Sequence, residues 1–220
     1  MKNYLKTNMQ TYDFLAEEYK NRKKNYEISD RKIMQSFIDY LKNNFKKAHV
    51  LELGPGSGLA LQILSEEGFN TTAIDISKKM IKISKEASPN TEYIHSDFLE
   101  YDFGKVKYEG IFAKAFIHLF PKEDAVLVIK KMMDILAPNG IIFIGTTLHE
   151  NPEEGFIKKE GYPNEPERFR KKWTKKELEE IIKKLSLKII SKKLNFEKEK
   201  NKTWIKFLLN KKELKNVAMG

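Results

Sequence analysis

The sequence predicts an α/β fold: a doubly wound, seven-stranded, mostly parallel sheet that ends in an antiparallel hairpin. Strand-like apolar runs alternate with helical stretches between residues 48 and 147, the pattern of a parallel sheet with helices on both faces. Two further strand-like runs, 187–197 and 202–210, are joined by Glu199-Lys200-Asn201, which favours a hairpin. At 220 residues the chain has the length of one α/β domain, 1–220, with a modest appendage.

Two helices precede the first predicted strand. They are expected over residues 11–21 and 28–45, and Ser29 or Asp30 is the expected N-cap of the second helix. This second helix carries an apolar stripe at helical spacing, made of Ile33, Phe37, Ile38 and Leu41.

Strands and helices then alternate along the chain. Ser77 and Ser88-Pro89 are start and stop signals of one helix, and Pro138-Asn139-Gly140 predicts a turn. Thr174 with Glu177 forms a capping box that predicts a later helix. In chain order the alternating elements are strand 48–53, helix 58–67, strand 70–76, helix 78–87, strand 91–96, strand 108–115, helix 122–136 and strand 140–147.

Three glycines at alternate positions follow the first predicted strand. The strand stops at Glu52, and Gly54, Gly56 and Gly58 precede a helical pattern. Because glycine has no Cβ, such a turn can bend sharply and approach a ligand within contact distance. The second strand ends in Asp75, roughly 20 residues after the central glycine, the spacing at which a carboxylate binds ribose hydroxyls. Together these features predict an adenosine-containing cofactor.

Details of the turn distinguish between cofactors. A dinucleotide fingerprint needs a small residue at the position of Leu59, and Glu52 would repel a pyrophosphate. A carboxylate there suits the ammonium group of an amino acid better. The pattern E-x-G-x-G-x-G, with an acid ending the next strand, resembles motif I of the small-molecule class I S-adenosylmethionine-dependent methyltransferases. The resemblance covers the chain from about Tyr12 to its end, and it implies a Rossmann-like fold and S-adenosyl-L-methionine as the cofactor.

The resemblance places further cofactor residues along the same edge of the sheet. Ile76 follows the ribose-binding acid. Ser96, Asp97 and Phe98 match the third-strand position at which the family's acid meets the adenine amino group and its neighbour packs on the ring. Alternatively, Asp97 only caps a turn. Met80 either packs on the adenine or belongs to the core.

The end of the fourth strand is expected to lie near the sulfonium. Ala113 and Lys114 are assigned to the cofactor; Lys114 serves it through its backbone, or its ammonium points at an anionic group of substrate or cofactor. His118 matches the histidine that follows this strand in the family. It is the candidate catalytic residue and a substrate contact, because an ordinary pKa of about 6.5 suits a general base at neutral pH. The alternative is a structural histidine.

The N-terminal helical region, about 1–45, is expected to form a lid. Tyr12 and Tyr19 lie in a pattern that resembles the lid of small-molecule methyltransferases, in which the second tyrosine approaches the cofactor carboxylate. Tyr12 is assigned to the substrate. The alternative is that both tyrosines belong to an ordinary apolar stripe.

A second covering segment is expected at about 148–173. It has few periodic apolar positions, and a stretch of this length inside a compact domain is usually functional or disordered. Arg168, Arg170 and Trp173 are assigned to the substrate. The two arginines either clamp a carboxylate or phosphate or are surface charges.

Composition limits the partners. The formal net charge of +10 comes mostly from scattered lysines rather than clustered arginines, so nucleic acid is possible but not favoured. The chain has no cysteine, which removes disulfides, thiolate metal sites and cysteine nucleophiles, and no metal site is expected. A polar start and no apolar run near about 18 residues predict a cytoplasmic protein without a membrane partner.

The sequence therefore predicts methyl transfer from S-adenosylmethionine to an oxygen, nitrogen or sulfur nucleophile of a small molecule, by in-line displacement. We expect a monomer or homodimer. Two alternatives stay open: a tRNA or rRNA methyltransferase, and a non-catalytic protein that binds S-adenosylmethionine.

Overall fold

The structure is a computed structural model that describes residues 1–23 and 27–212. Residues 24–26 and 213–220 lie outside the described part; both ranges belong to the predicted domain 1–220, and the first belongs to the predicted lid, about 1–45. Within the described ranges, no helix is both long enough and apolar enough to cross a membrane.

A seven-stranded sheet forms the centre of the fold. Its strands are β1 (His49–Leu53), β2 (Asn70–Asp75), β3 (Glu92–His95), β4 (Tyr108–Lys114), β5 (Leu136–Leu148), β8 (Leu187–Glu197) and β9 (Lys202–Lys211), and a separate pair is β6 (Glu153–Lys158) with β7 (Glu167–Lys172). The spatial order is β3-β2-β1-β4-β5-β9-β8. Strands β1 to β5 pair in parallel, whereas β9 is antiparallel to β5 and β8. The predicted fold class is confirmed.

Helices pack on both faces of this sheet. They are α1 (Asn3–Phe14), α2 (Ala16–Arg22), α3 (Glu27–Asn44), α4 (Leu59–Glu66), α5 (Lys78–Ala87), α6 (Lys122–Ile135) and α7 (Lys175–Lys184). Successive strand residues point to opposite faces, so Phe112 of β4 packs with Phe37 of α3, whereas its neighbour Ile111 packs in the layer that contains Ile129 of α6.

The N-terminal helices differ from the prediction. The first begins at Asn3 rather than near residue 11, because Tyr4 is buried and its hydroxyl donates a hydrogen bond to Asp124 at 2.7 Å. The expected N-cap at Ser29 or Asp30 is wrong, since α3 already begins at Glu27.

The segment 148–173 contains regular structure that the sequence did not reveal. Strands β6 and β7 form an antiparallel hairpin in which Phe156 lies opposite Phe169. Charged residues fill nearly all of β7, so its alternation between buried and exposed positions was not visible as an apolar pattern.

Other C-terminal predictions have mixed outcomes. The capping box of Thr174 and Glu177 is present at the start of α7, and the hairpin of β8 and β9 is confirmed. The predicted turn at Pro138-Asn139-Gly140 lies within β5 instead, where Asn139 has a φ of +60° and the pairing with β4 shifts register.

Candidate active site

The carboxyl ends of β1, β2, β3 and β4 meet at one edge of the sheet. The register places Glu52 of β1 beside Ala73 of β2 and Phe112 of β4, and it places Asp75 of β2 beside His95 of β3. From β1 the sheet continues through β2 to β3 on one side, and the chain then returns to place β4 and β5 on the other side of β1. Open α/β sheets bind ligands at such a switch point, and the predicted site residues that follow these strands lie there.

The glycine turn leaves β1 at this switch point. Gly54, Gly56 and Gly58 have φ values of +67°, +57° and +76°, a region that residues with a Cβ rarely adopt. At Gly58 a Cβ would also lie 2.7 Å from the carbonyl oxygen of Ser84 in α5. At Gly56 the nearest atom to a Cβ would be a ring carbon of Tyr19, 3.9 Å away. The last glycine is therefore needed for packing, whereas the central one faces the N-terminal helices.

Glu52 is a buried carboxyl group with an unused oxygen. The residue is 5% exposed, and its Oε2 has no hydrogen-bond partner among the described residues. Burial raises the pKa of Glu52 well above its usual range, against the opposing effects of Lys114 and a backbone hydrogen bond from Leu61. Buried polar atoms almost always have partners, so this oxygen fits a ligand donor.

Lys114 ends β4 with its ammonium committed to the protein. Its Nζ forms an ion pair with Asp30 of α3, so the structure does not leave the ammonium free for an anionic ligand group. The next residue, Ala115, has a φ of +57°, and its N–H donates to the carbonyl oxygen of Gly145 at 2.7 Å. A non-glycine residue at positive φ stores strain of a kind that often occurs at ligand sites. Ala113, one residue before Lys114, is fully buried.

Asp75 joins the end of β2 to the start of α5. Its Oδ1 accepts a hydrogen bond from the backbone N–H of Ser77 at 2.7 Å, and burial raises the pKa of Asp75 to about 7. Ser77 caps α5 by accepting from the N–H of Met80 at 3.0 Å, and it donates to Asp13 of α1 at 2.6 Å. Asp13 thereby anchors the first helix to the second strand's loop.

Three more predicted cofactor residues surround this loop, and the backbone of one of them, Ile76, hydrogen-bonds the carboxyl group of Asp75. The carbonyl oxygen of Ile76 lies 3.1 Å from a ring nitrogen of His95, and the N–H of Ser96 donates to the carbonyl oxygen of Asp75 at 3.1 Å. Met80 is buried against Ala16 and the two lid tyrosines, which corresponds to the core alternative.

Asp97 and Phe98 follow β3 at the same edge. The Oδ1 of Asp97 accepts from the N–H of Leu99 at 3.0 Å, so this acid does cap a turn. The Phe98 ring is buried and packs edge-to-face with Phe116 at 6.2 Å. Phe116 also approaches the glycine turn, since a Cβ on Gly54 would lie 3.0 Å from its ring.

Aromatic side chains from the N-terminal helices and from the segment 148–173 pack together beside the glycine turn. Tyr12 and Tyr19 pack edge-to-face with ring centroids 5.8 Å apart, and Tyr19 stacks on Tyr162 at 5.6 Å. The Nζ of Lys159 lies 5.7, 5.4 and 4.1 Å from the rings of Tyr12, Tyr19 and Tyr162. Burial raises the pKa of Tyr19 well above its usual range. The amino group of a buried lysine thus lies among three tyrosine rings.

His118 lies in a single 3-10 turn, Ile117–Leu119, just beyond β4. It is 3% exposed, and its Nδ1 is 3.2 Å from the hydroxyl oxygen of Thr146. Burial, and then the positive charges of Arg170, Arg168 and Lys159, lower the pKa of His118 well below its usual value. The expectation of an ordinary pKa is wrong, because the covering segment brings cations to the ring. His118 is a neutral imidazole at neutral pH.

Three basic side chains of the segment 148–173 act electrostatically on this histidine. Arg168 donates from Nη1 to the hydroxyl of Tyr12 at 3.0 Å, and Arg170 donates from Nη2 to the hydroxyl of Thr147 at 2.6 Å. Lys159 is only 6% exposed and was missed by the sequence analysis. Its one available signal was its place in the same segment as the two arginines.

Trp173 lies elsewhere. Its ring is completely buried in the apolar core, 5.1 Å below the Nζ of Lys171. Side chains alternate along a strand, so Trp173 shares the face of Phe169 and Lys171, opposite that of Arg168 and Arg170. Its assignment to the substrate is not supported by this placement.

Comparison with known proteins identifies the family. Residues 50–140, which include the glycine turn and Asp75, match a family model described as a methyltransferase domain. The solved structure of a Burkholderia thailandensis 1,6-didemethyltoxoflavin-N1-methyltransferase with bound S-adenosylhomocysteine shares the fold, with a TM-score of 0.71 at 15% identity, covering 96% of this chain and 89% of that one. Residues 50–140 therefore carry a methyltransferase domain, and the fold of the chain is that of an S-adenosylmethionine-dependent methyltransferase.

Curated relatives of this methyltransferase match over shorter stretches. An uncharacterised methyltransferase of Alkaliphilus oremlandii is 29% identical over 120 residues, which is 54% of this chain and 55% of the relative. Ribosomal RNA small subunit methyltransferase A of Malacoplasma penetrans is 30% identical over 92 residues, 37% of this chain and 33% of the relative. The methyltransferase thus spans about half the length of the first relative and a third of the second.

The switch point fits the cofactor of this methyltransferase family, S-adenosylmethionine. The unpartnered Oε2 of Glu52 is an acceptor for an ammonium group. The backbone of Gly56 has no Cβ to keep a ligand away, and Asp75 is a carboxyl group at the position that the sequence predicts to bind ribose. Phe116 lies beside Gly54 and Tyr19 lies beside Gly56, so these two rings border the space along the glycine turn.

Proposed function

We propose that this methyltransferase transfers a methyl group from S-adenosylmethionine to an oxygen, nitrogen or sulfur atom of a small molecule by in-line displacement. The observation that carries the proposal is convergence: the cofactor edge of the sheet, His118 and the cations of the segment 148–173 lie under one aromatic cover. In this proposal residues 1–220 form one domain, about 1–45 act as its lid, and 148–173 complete the cover.

The cofactor-binding roles follow from position. Glu52 accepts from the amino group of the cofactor and Asp75 from its ribose, while the backbone of Gly54, Gly56 and Gly58 lies along the amino-acid part. A second group serves the adenosine and sulfonium ends: Ile76, Met80, Ser96, Asp97 and Phe98 near the adenosine, Ala113 and the backbone of Lys114 near the sulfur, and Tyr19 above the tail.

The protein's contribution to the reaction is mainly positional. S-adenosylmethionine supplies an already activated methyl group. The chain holds nucleophile, methyl and sulfur in line, an effect worth up to about 7–11 kcal/mol in well-oriented systems. The tyrosine cover excludes water, and opening of the lid gates entry and release. The neutral imidazole of His118 can accept a hydrogen bond from the molecule that receives the methyl group, when that molecule is bound beside Thr146.

A small acceptor is favoured over RNA by enclosure. Tyr12, Tyr19 and Tyr162 close the site with packed rings. One structural relative that extends over nearly the whole chain is named a 1,6-didemethyltoxoflavin-N1-methyltransferase. The rRNA alternative has its own support in the relative from Malacoplasma penetrans and in the net charge of +10. RNA binding that weakens steeply with salt, together with methylation of RNA, would favour that alternative.

Calorimetry with S-adenosylhomocysteine tests the cofactor half of the proposal. We expect Asp75→Asn to weaken binding by about tenfold or more, since it removes a charged acceptor from the ribose hydroxyls. Asp39→Asn removes an exposed carboxylate from α3 and should leave the affinity unchanged. Equal affinities of wild type and Asp75→Asn would contradict the cofactor assignment. Cofactor binding without methylation in a screen of small-molecule acceptors would favour the non-catalytic alternative.

A further inference from the structure

The cation cluster, defined here as Lys159, Arg168 and Arg170, is built on one face of the β6–β7 hairpin. Arg168 and Arg170 are two positions apart on β7, so both point to the side of His118. Lys159 directly follows β6 and is held by its N–H, which donates to the carbonyl oxygen of Pro166 at 2.9 Å. Strand β7 packs against the 3-10 turn that carries His118, and the positive charges of all three side chains lower the pKa of that histidine.

The cluster has no acidic partner within residues 1–23 and 27–212. Arg168 is 8% exposed and Lys159 is 6% exposed. Among the described residues, the hydrogen bond from Arg168 to the hydroxyl of Tyr12 is the one polar contact that these two side chains make, and the Nε of Arg168 has no partner. In the same described ranges, the side chain of Arg170 contacts only the hydroxyl of Thr147.

Another buried cation on the same strand is treated differently. Lys171 is 4% exposed and points to the opposite face, where its Nζ pairs with Glu177 at 3.1 Å. The fold therefore supplies a counter-ion to the buried lysine that belongs to the core. Within the described part of the chain, it supplies none to the cluster beside His118.

Unpaired buried cations are strongly unfavourable, because burial removes their hydration without replacing it. The consequences are visible in the protein, where burial and the neighbouring cations lower the pKa of Lys159 to about 6 and that of Arg170 to about 10. A bound anion would offset this. The planar fork of arginine matches the two oxygens of a carboxylate or phosphoryl group.

Resting on the proposed function, we propose that the acceptor molecule carries a carboxylate or phosphoryl oxyanion, which Arg168, Arg170 and Lys159 bind beside His118. A neutral acceptor would leave the cluster unpaired. Two carboxyl groups of the N-terminal helices are already committed: Asp13 to the start of α5 and Asp30 to Lys114. The competing occupant is the carboxylate of the cofactor itself, so the test includes a cofactor fragment without that group.

The experiment measures the affinity of two probes, succinate and inorganic phosphate, by calorimetry in the presence of saturating S-adenosylhomocysteine. We expect wild type to bind at least one probe, and Arg170→Gln and Lys159→Gln to weaken it about tenfold or more, as expected for loss of a charged hydrogen bond. Arg168→Lys keeps the charge but loses the fork and should also weaken binding. The matched control is Lys172→Gln, which removes a charge from the same face of β7. Lys172 already pairs with Glu153 at 2.6 Å, so this variant should bind the probe like wild type.

Three results would overturn the inference. The first is that the wild type binds S-adenosylhomocysteine but binds neither probe. The second is an equal loss in Lys172→Gln, which would indicate general electrostatics. The third is that the cluster variants weaken the binding of S-adenosylhomocysteine but not that of 5′-methylthioadenosine, which would show that the cluster binds the carboxylate of the cofactor. Failure of wild type to bind S-adenosylhomocysteine at all would instead contradict the proposed function. Thermal melting of each variant identifies those that do not fold.

Discussion

Replacing Gly58 by alanine should destabilise the protein through backbone strain and through overpacking against α5. Two effects add. Alanine in the left-handed region is unfavourable by about 1–2 kcal/mol, and Gly58 has a φ of +76°. The new Cβ would lie 2.7 Å from the carbonyl oxygen of Ser84, and relief of such overpacking costs about 1–3 kcal/mol more. The expected loss of unfolding free energy is therefore about 2–5 kcal/mol, or a fall in melting temperature of about 10 °C for a chain of this size.

Gly68→Ala is the matched control. Gly68 has a φ of +85°, but no heavy atom lies within 4 Å of the position that a Cβ would take there, so only the backbone effect of about 1–2 kcal/mol remains. Urea unfolding followed by circular dichroism measures both variants. Equal losses for Gly58→Ala and Gly68→Ala would refute the packing argument. Gly56→Ala should resemble Gly68→Ala in stability, since its nearest contact is 3.9 Å away, but should weaken S-adenosylhomocysteine binding.

Three further predictions concern the cover and its histidine. His118→Ala should lower turnover about tenfold, the value of a lost hydrogen bond rather than of a lost general base, while cofactor affinity stays as in wild type. Unchanged turnover on the true acceptor would make His118 structural. Lys159→Met should raise the unfolding free energy more at pH 7 than at pH 10. The pKa of Lys159 is lowered to about 6 in the folded protein, so between about pH 6 and 10.5 the unfolded chain binds one proton more than the folded chain. The stability of the wild type therefore rises with pH across that window. A stability difference that does not depend on pH would contradict this. Asp13→Ala should cost about 1 kcal/mol through the lost hydrogen bonds from Ser77 and from the N–H of Lys79 at the start of α5, and it should speed amide hydrogen exchange in α1. Unchanged exchange would show that Asp13 does not anchor α1.

The cofactor edge could be predicted from the sequence because its signals are local. Glu52, the three glycines and Asp75 fall within one strand–turn–helix–strand unit, and spacing along the chain translates directly into position at the sheet edge. The last strands were predictable for the same reason, since the two runs of the hairpin follow each other.

The acceptor side could not be predicted to the same depth, because it depends on long-range packing. Lys159 is one lysine among many in a lysine-rich chain, and its surroundings include the tyrosines of α1 and α2, which are far away in sequence. The pKa of His118 is lowered by residues some 40 to 50 positions away along the chain. The burial of Trp173 in the core was not visible in the sequence, because the strand β7 that orients it is nearly all charged.

A crystal structure with bound S-adenosylhomocysteine tests the central claim most directly. The account predicts the ribose at Asp75, the amino-acid tail along Gly56 with its ammonium at Glu52, and the sulfur beside the end of β4 on the side of His118. A ligand bound at another edge of the sheet would contradict it.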